Sequence, residues 1–262
     1  MSVDFTVDTL LRGRVTLLQP LRGFRSSLDP VLLAAFLQPP FGRFIDIGCG
    51  TGALSFLLAA ADQDASGVGV EIQPRLATLA TAGLARNDFA QRVEILHADI
   101  RAVSGRPPLA HAMFDLVATN PPYRIVSAGL PSPDPERAQA NHEVSLRLDE
   151  WLDNATALVK PNGRVGVVYP AERMADLLEG LRHRGLMPAR LRLVQPRADK
   201  PPSRVLIEAR VGGRAEPLLE MPLVLHDQTG GYTAEMKSML GDVSPDTVGG
   251  KATGDSSESR NS

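Results

Sequence analysis

Strands alternating with helices over residues 43–184 predict an α/β fold, a mostly parallel sheet with helices on both faces. Three observations carry this expectation. Short runs rich in Val, Ile, Leu and Phe recur at 43–47, 67–71, 93–97, 114–119 and 164–169. Longer segments with helical spacing of apolar residues stand at 53–61, 73–86, 145–159 and 171–184. The first strand runs straight into glycines that open the next helix. Such interleaving is the pattern of βαβ units, which need a crossover helix between parallel strands.

Taken in order, residues 5–27 read as irregular, with scattered arginines and a break at Gly23-Phe24. Residues 28–37 read as a helix, with Asp29 as N-cap, Pro30 at the first helical position, and Leu32, Leu33 and Phe36 on one face. The strand-helix alternation then runs from 43. Asn87-Asp88 makes a turn, and Pro161-Asn162-Gly163 ends the helix of 145–159. Two later β-rich segments, 189–194 and 204–210, are joined by a basic linker and suggest an antiparallel addition at one sheet edge. Leu223-Val224-Leu225-His226 is a last short apolar run. From Gly241 the chain is rich in Gly, Ser and Asp and is expected to be disordered.

Composition narrows the function classes. Of 262 residues, 43% are hydrophobic and 22% charged, which excludes wholesale disorder. No apolar run reaches the ~18 residues of a membrane span. The start, Met1-Ser2-Val3-Asp4, lacks a basic region leading into an apolar stretch, so no secretory signal is expected. Cys49 is the single cysteine, which rules out an internal disulfide and a cysteine metal cluster and points to a reducing, cytoplasmic home. The five histidines show no metal-ligand spacing, so no metal is expected. Net charge is −2, yet Arg182, Arg184, Arg190, Arg192, Arg197, Lys200 and Arg204 face only Asp199 within residues 181–204. This stretch is either a solvated face or an electrostatic footprint for a polyanion.

Open α/β sheets bind ligands at the carboxyl ends of their strands. Here the first strand ends in Asp46-Ile47-Gly48-Cys49-Gly50-Thr51-Gly52, the second in Glu71, the third near Asp99, and the fourth in Asn120-Pro121-Pro122-Tyr123. Four polar or glycine-rich strand ends describe one shared cleft. The glycine loop alone also fits a tight turn or, with Glu71, a dinucleotide site. Asn120 to Tyr123 argues against a nicotinamide cofactor. An Asn side-chain oxygen and a neighbouring backbone carbonyl can both accept from one NH₂ group, which turns a conjugated, weakly nucleophilic nitrogen toward tetrahedral geometry. Tyr123 offers a flat face for a planar substrate. Cys49, with no nearby histidine, reads as a small buried filler, and Trp151 as a packing residue.

These residues together resemble class I S-adenosylmethionine-dependent methyltransferases of the amino-methylating type. The resemblance implies a Rossmann-like, seven-stranded sheet whose last strand is antiparallel. It implies that Asp46 and the loop Gly48, Cys49, Gly50, Thr51 and Gly52 hold the methionine part of the cofactor. Glu71 would take the ribose hydroxyls, and Asp99 the adenine amino group between Ile72 and Ile100. Asn120, which also borders the cofactor, and Pro121 would grip the target nitrogen, with Pro122 and Tyr123 completing the catalytic set. Residues 19–33 and 222–240 further resemble the end segments of bacterial tRNA(Val) adenine N6-methyltransferases, which act on the adenine 3′ of the anticodon. The implied organisation is 1–42 as a segment and helix over the cofactor pocket, with Asp29 capping the pocket or simply the helix, 43–240 as the methyltransferase domain, and 241–262 as the tail. An RNA substrate, tRNA above all, is then the expected partner, with Arg190, Arg192, Arg197, Lys200 and Arg204 as phosphate contacts and no membrane partner. Methylation of a protein glutamine amide, or of adenine in DNA or rRNA, is the alternative. A degenerate module that only binds is the non-enzymatic one, and the intact motifs argue against it.

Overall fold

The computed structural model describes residues 4–23, 25–121, 147–213 and 216–241. The central sheet is built from β3 (Arg43–Ile47), β4 (Ser66–Glu71), β5 (Val93–His97), β6 (Phe114–Thr119), β7 (Val159–Pro170), β8 (Leu186–Arg197) and β9 (Arg204–Val211), with short β10 (Leu218–Leu219) and β11 (Leu223–His226). Strand order is β10-β8-β9-β7-β6-β3-β4-β5, and β11 also pairs with β8. The expected α/β fold is present. β9 alone runs antiparallel, against both β7 and β8. The seven-stranded core is therefore as the sequence implied, and β10 and β11 extend it along the outer edge of β8, both parallel to it.

Helices cover both faces. On one lie α1 (Asp29–Phe36), α2 (Ala53–Ala61) and α3 (Pro74–Arg86), with α7 (Ala234–Met239) at the side. On the other lie α4 (Ile100–Val103), α5 (Leu148–Leu158) and α6 (Met174–His183). Trp151 is fully buried where α5 meets the sheet, as a packing residue should be.

Three expectations need correction. Residues 5–20 are not irregular: β1 (Phe5–Leu10) and β2 (Val15–Pro20) form an antiparallel hairpin. Its turn lacks the usual Asn-Gly or Asp-Gly pair. Instead Leu11, Arg12 and Gly13 all take left-handed φ, which hid the hairpin from a reading based on turn residues. Val15 and Leu17 enter the core beneath α2 and α3. Asn87 closes the free edge of β2 by accepting from Thr16 N–H at 2.6 Å and donating to Thr16 C=O at 2.8 Å.

Asp29 is not the N-cap. Leu28 precedes the helix, and Asp29 opens it with its N–H donated to Ser27 Oγ at 3.2 Å. Its carboxylate instead accepts from Arg204 Nε at 3.2 Å, tying the start of α1 to the start of β9. The basic linker is also largely strand: β8 reaches Arg197, and only residues 198–203 turn. Arg190 and Arg192 are engaged inside this sheet. Glu208, buried in β9, meets Arg210 at 3.0 Å, Arg164 at 3.4 Å and Arg190 at 3.7 Å. Arg190 also donates to the Phe36 carbonyl at 3.1 Å and Arg164 to the Gln38 carbonyl at 2.9 Å, so two sheet cations satisfy carbonyls at the end of α1.

Candidate active site at the carboxyl edge

Strand register assembles the site. Ile47 pairs with both Val70 and Thr119, and Glu71 pairs with His97. Continuing each strand by one residue puts Glu71, Gly48 and Asn120 side by side across β4, β3 and β6. Asp99 follows two residues after His97. Thr119 Oγ1 donates to the Ile47 carbonyl at 2.8 Å, which locks the end of β6 to the glycine loop and fixes where Asn120 begins.

The loop itself turns on positive φ at Gly48 (74°), Gly50 (58°) and Gly52 (88°), a conformation that L side chains rarely adopt. A Cβ on Gly52 would strike the Phe56 ring at 2.7 Å, so this glycine lets α2 start tight against the strand. A Cβ on Gly48 would meet nothing within 4 Å, so open space lies above the loop. The N–H groups of Gly48 and Cys49 both donate to the Val70 carbonyl, at 2.9 and 3.0 Å.

Two buried acids flank the loop. Asp46 is 1% exposed and accepts from Ser55 N–H at 3.0 Å and Ser55 Oγ at 2.7 Å. Burial pushes its carboxyl up to about 7, against the pull of the Ser55 bonds. Glu71, 5% exposed, accepts from Gly50 N–H at 2.9 Å and Gln73 N–H at 2.8 Å, and burial raises its pKa as well. Two desolvated carboxyls favour a cationic or hydroxyl-bearing ligand, which would restore what burial removed. Thr51 Oγ1 is buried and has no hydrogen-bond partner among the described residues. An orphaned hydroxyl, open space over Gly48 and two desolvated acids together fit a cofactor with a cationic amino acid end and a ribose.

Asp99 differs. It caps α4 by accepting from Arg101 N–H at 2.9 Å, and the Arg101 guanidinium bonds both its oxygens, holding its carboxyl below the usual range. Arg101 also lies 3.5 Å from Glu150 on α5. Ile100 is buried and Ile72 half-buried beside it. Cys49 is buried, and burial together with the nearby Asp46 and Glu71 raises its thiol well above the ordinary value, which suits a filler and not a nucleophile. Asn120 is half-buried and Pro121 buried. Pro122 and Tyr123 lie outside the described residues.

Sequence reasoning missed Ser55 and Arg101, which orient Asp46 and Asp99. Ser55 stands in an apolar helix with nothing to mark it, while Arg101, two residues past a capping acid, was open to prediction. Of the five proposed phosphate contacts, Arg190 pairs with Glu220 at 2.6 Å, Arg192 with Glu235 at 2.7 Å and Arg204 with Asp29. Arg197 and Lys200 stand at the β8–β9 turn, 45% and 58% exposed, and both reach Asp199. Among the described residues no group of His, Cys, Asp and Glu could hold a metal ion, and no helix is long and apolar enough to cross a membrane.

Comparison with known proteins agrees with this geometry. Residues 28–130 match the family described as Methyltransferase small domain. A tRNA1(Val) (adenine(37)-N6)-methyltransferase of Porphyromonas gingivalis is 33% identical over 219 residues, covering 80% of this chain and 85% of that protein. The chain belongs to this methyltransferase family. The enzyme of the same description from Dickeya chrysanthemi is also 33% identical, over 82% of this chain and 85% of its own length. Among solved structures, a predicted O-methyltransferase of Agrobacterium tumefaciens superposes with a TM-score of 0.64 at 23% identity, over 82% of this chain and 96% of its own. Pyrococcus horikoshii TYW2, solved with MeSAdo, gives 0.56 at 15% identity, over 81% and 73%. These likenesses show the class I methyltransferase fold. The protein is an S-adenosylmethionine-dependent N-methyltransferase.

Proposed function

We propose that this methyltransferase transfers a methyl group to the exocyclic N6 of an adenine in tRNA, at the position 3′ of the anticodon. The observation that carries the reading is the row Glu71, Gly48, Asn120, which sets an amide able to grip an amino group beside the cofactor loop. The relatives named for adenine N6 methylation in tRNA1(Val) support the choice of substrate.

S-adenosylmethionine supplies an electrophilic methyl group on a sulfonium centre. Asp46, the loop Gly48 to Gly52 and Thr51 Oγ1 hold its methionine end, Glu71 its ribose, and Asp99 its adenine between Ile72 and Ile100. Asn120 Oδ1 and the Pro121 carbonyl accept the two hydrogens of the target amino group. Drawing both hydrogens out of the base plane frees the nitrogen lone pair from conjugation and aims it into the cleft, an interaction strongest as the nitrogen becomes cationic. No strong base is needed, because the proton leaves only after that charge has formed. Pro122 and Tyr123 complete the target pocket, Tyr123 by stacking on the base. Residues 43–240 form the catalytic domain, against whose helices α2 and α3 the hairpin of residues 5–20 packs. Arg197 and Lys200, together with Arg190, Arg192 and Arg204 where their ion pairs open, contact phosphates.

Incubation of the purified protein with S-adenosylmethionine and a tRNA(Val) transcript, followed by nucleoside mass spectrometry, tests the reading. N6-methyladenosine at the nucleotide 3′ of the anticodon is expected. Methylation of a glutamine-containing peptide with no change in the tRNA would overturn it.

A further inference from the structure

The target pocket holds one base, and a folded RNA needs a second grip. β8 runs parallel to β7, so its end and that of β11 point the same way as the strands that carry the catalytic loops. Register gives their height. Thr119 pairs with Val167, Val168 with Leu206, and Leu206 with Arg192, so Arg192 is level with Asn120. Arg197, paired with His226, stands five residues higher. At ~3.3 Å per residue and ~4.8 Å per strand, His226 lies about 16 Å along its own strand from the Asn120 row and about 19 Å across the strands, some 25 Å in all. The β8–β9 turn and the loop after β11 thus stand together at the far end of the edge that carries Asn120.

That end has an aromatic surface. His226 and Tyr232 stack with centroids 4.8 Å apart and planes 28° apart, and a bridge joins their backbones. His226 Nδ1 lies 3.1 Å from the Pro196 carbonyl, an acceptor only, so Nδ1 carries the proton and the ring is fixed in place. Asp227 shapes the connecting loop by accepting from Thr229 N–H at 2.8 Å and Gly231 N–H at 3.1 Å. Tyr232 is 37% exposed, although a core position is open to a tyrosine, as buried Tyr169 shows. Arg197 lies beside the stack through its pairing with His226, and Lys200, three residues on, shares its acid, Asp199.

We infer that the His226–Tyr232 stack, flanked by Arg197 and Lys200, is a platform for a single-stranded nucleotide of the RNA substrate remote from the target adenine. The inference rests on the tRNA reading above. A stacked aromatic pair with an exposed tyrosine and a cation alongside is an arrangement that takes unpaired bases, since every base has a π-face and a phosphate on either side. A span of about 25 Å corresponds to roughly seven stacked nucleotides, so platform and pocket would hold two ends of one loop or a loop and its stem.

The test compares wild type with Tyr232→Ala, Tyr232→Phe and Arg197→Gln/Lys200→Gln on a full-length tRNA(Val) transcript. Tyr232→Ala is expected to raise KM for tRNA about tenfold or more, the scale of one lost base stack, with kcat and S-adenosylmethionine Kd unchanged. Tyr232→Phe should restore KM. The double variant should shrink the slope of log Kd against log salt by about 1.4–1.8. A Tyr232→Ala enzyme with wild-type KM, or a Phe variant as weak as Ala, overturns the platform while leaving the substrate reading intact. A wild-type enzyme that neither binds nor methylates the transcript overturns both.

Discussion

Replacing Asp46 with asparagine should stabilise the cofactor-free protein above neutral pH. Asp46 is buried with Ser55 as its hydrogen-bonding partner, and its carboxyl titrates at about 7 in place of the ordinary 3.8. The folded state therefore holds this proton more tightly than the unfolded chain. Below about pH 4 both states keep it and nothing is lost. As pH rises from 4 to 7 the unfolded chain releases the proton first, and stability falls. Above 7 the full deficit stands, about three pH units, or roughly 4 kcal/mol at ~1.36 kcal/mol per unit. An asparagine keeps an oxygen for Ser55 and cannot ionise. Urea denaturation without cofactor, at pH 5 and pH 8, should show the variant's advantage growing by about 2–4 kcal/mol between the two. Saturating S-adenosylmethionine should reverse the order at pH 8, because the ionised carboxylate then faces a cation. A difference between the two proteins that does not move with pH would refute the reasoning.

Other expected outcomes follow from the same geometry. Glu71→Ala should weaken S-adenosylmethionine binding by about 1.5–3 kcal/mol by calorimetry, the scale of hydrogen bonds to a charged group, while NADH should bind neither protein. Asn120→Ala should cut kcat by roughly 10²–10³ with little change in cofactor Kd, read from initial rates under saturating cofactor. Arg190→Gln should lower stability by on the order of 1–3 kcal/mol, because it removes bonds to the Phe36 carbonyl and to the carboxylates of Glu208 and Glu220. Arg197→Gln, which loses only an exposed pair with Asp199, should leave the melting curve unchanged.

The strands and the site acids were legible because each announces itself locally. Asp46, Glu71, Asp99 and Asn120 all follow short β-branched or aliphatic runs, and in a parallel sheet such strand ends share one edge. The hairpin of residues 5–20 was not legible, since Leu11 and Arg12 supply left-handed backbone without the residues that usually signal it. Nor could the sequence tell which arginines of 181–204 are free. Their partners, Asp29, Glu208, Glu220 and Glu235, are distant in sequence or hidden in alternation, so a count of charge saw a basic run where the fold has internal ion pairs. The difference between Asp46, raised by burial, and Asp99, lowered by its bonds to Arg101, likewise depends on surroundings and not on residue type.

The hairpin also separates two ideas of where this domain starts. The segment recognisable as a methyltransferase begins at residue 28, yet Val15, Leu17 and Leu18 are within 2% of complete burial, and the first two share a core with Phe56, Leu84 and Phe89. Burying three aliphatic side chains contributes on the order of 5–9 kcal/mol, comparable to the ~5–15 kcal/mol by which a domain exceeds its unfolded state. A chain begun at residue 28 would lay bare an oily strip along α2 and α3 and be expected to clump in place of folding. At the N-terminal end, the unit that inheritance marks and the unit that thermodynamics holds together differ by a ribbon of some sixteen residues and the short link after it.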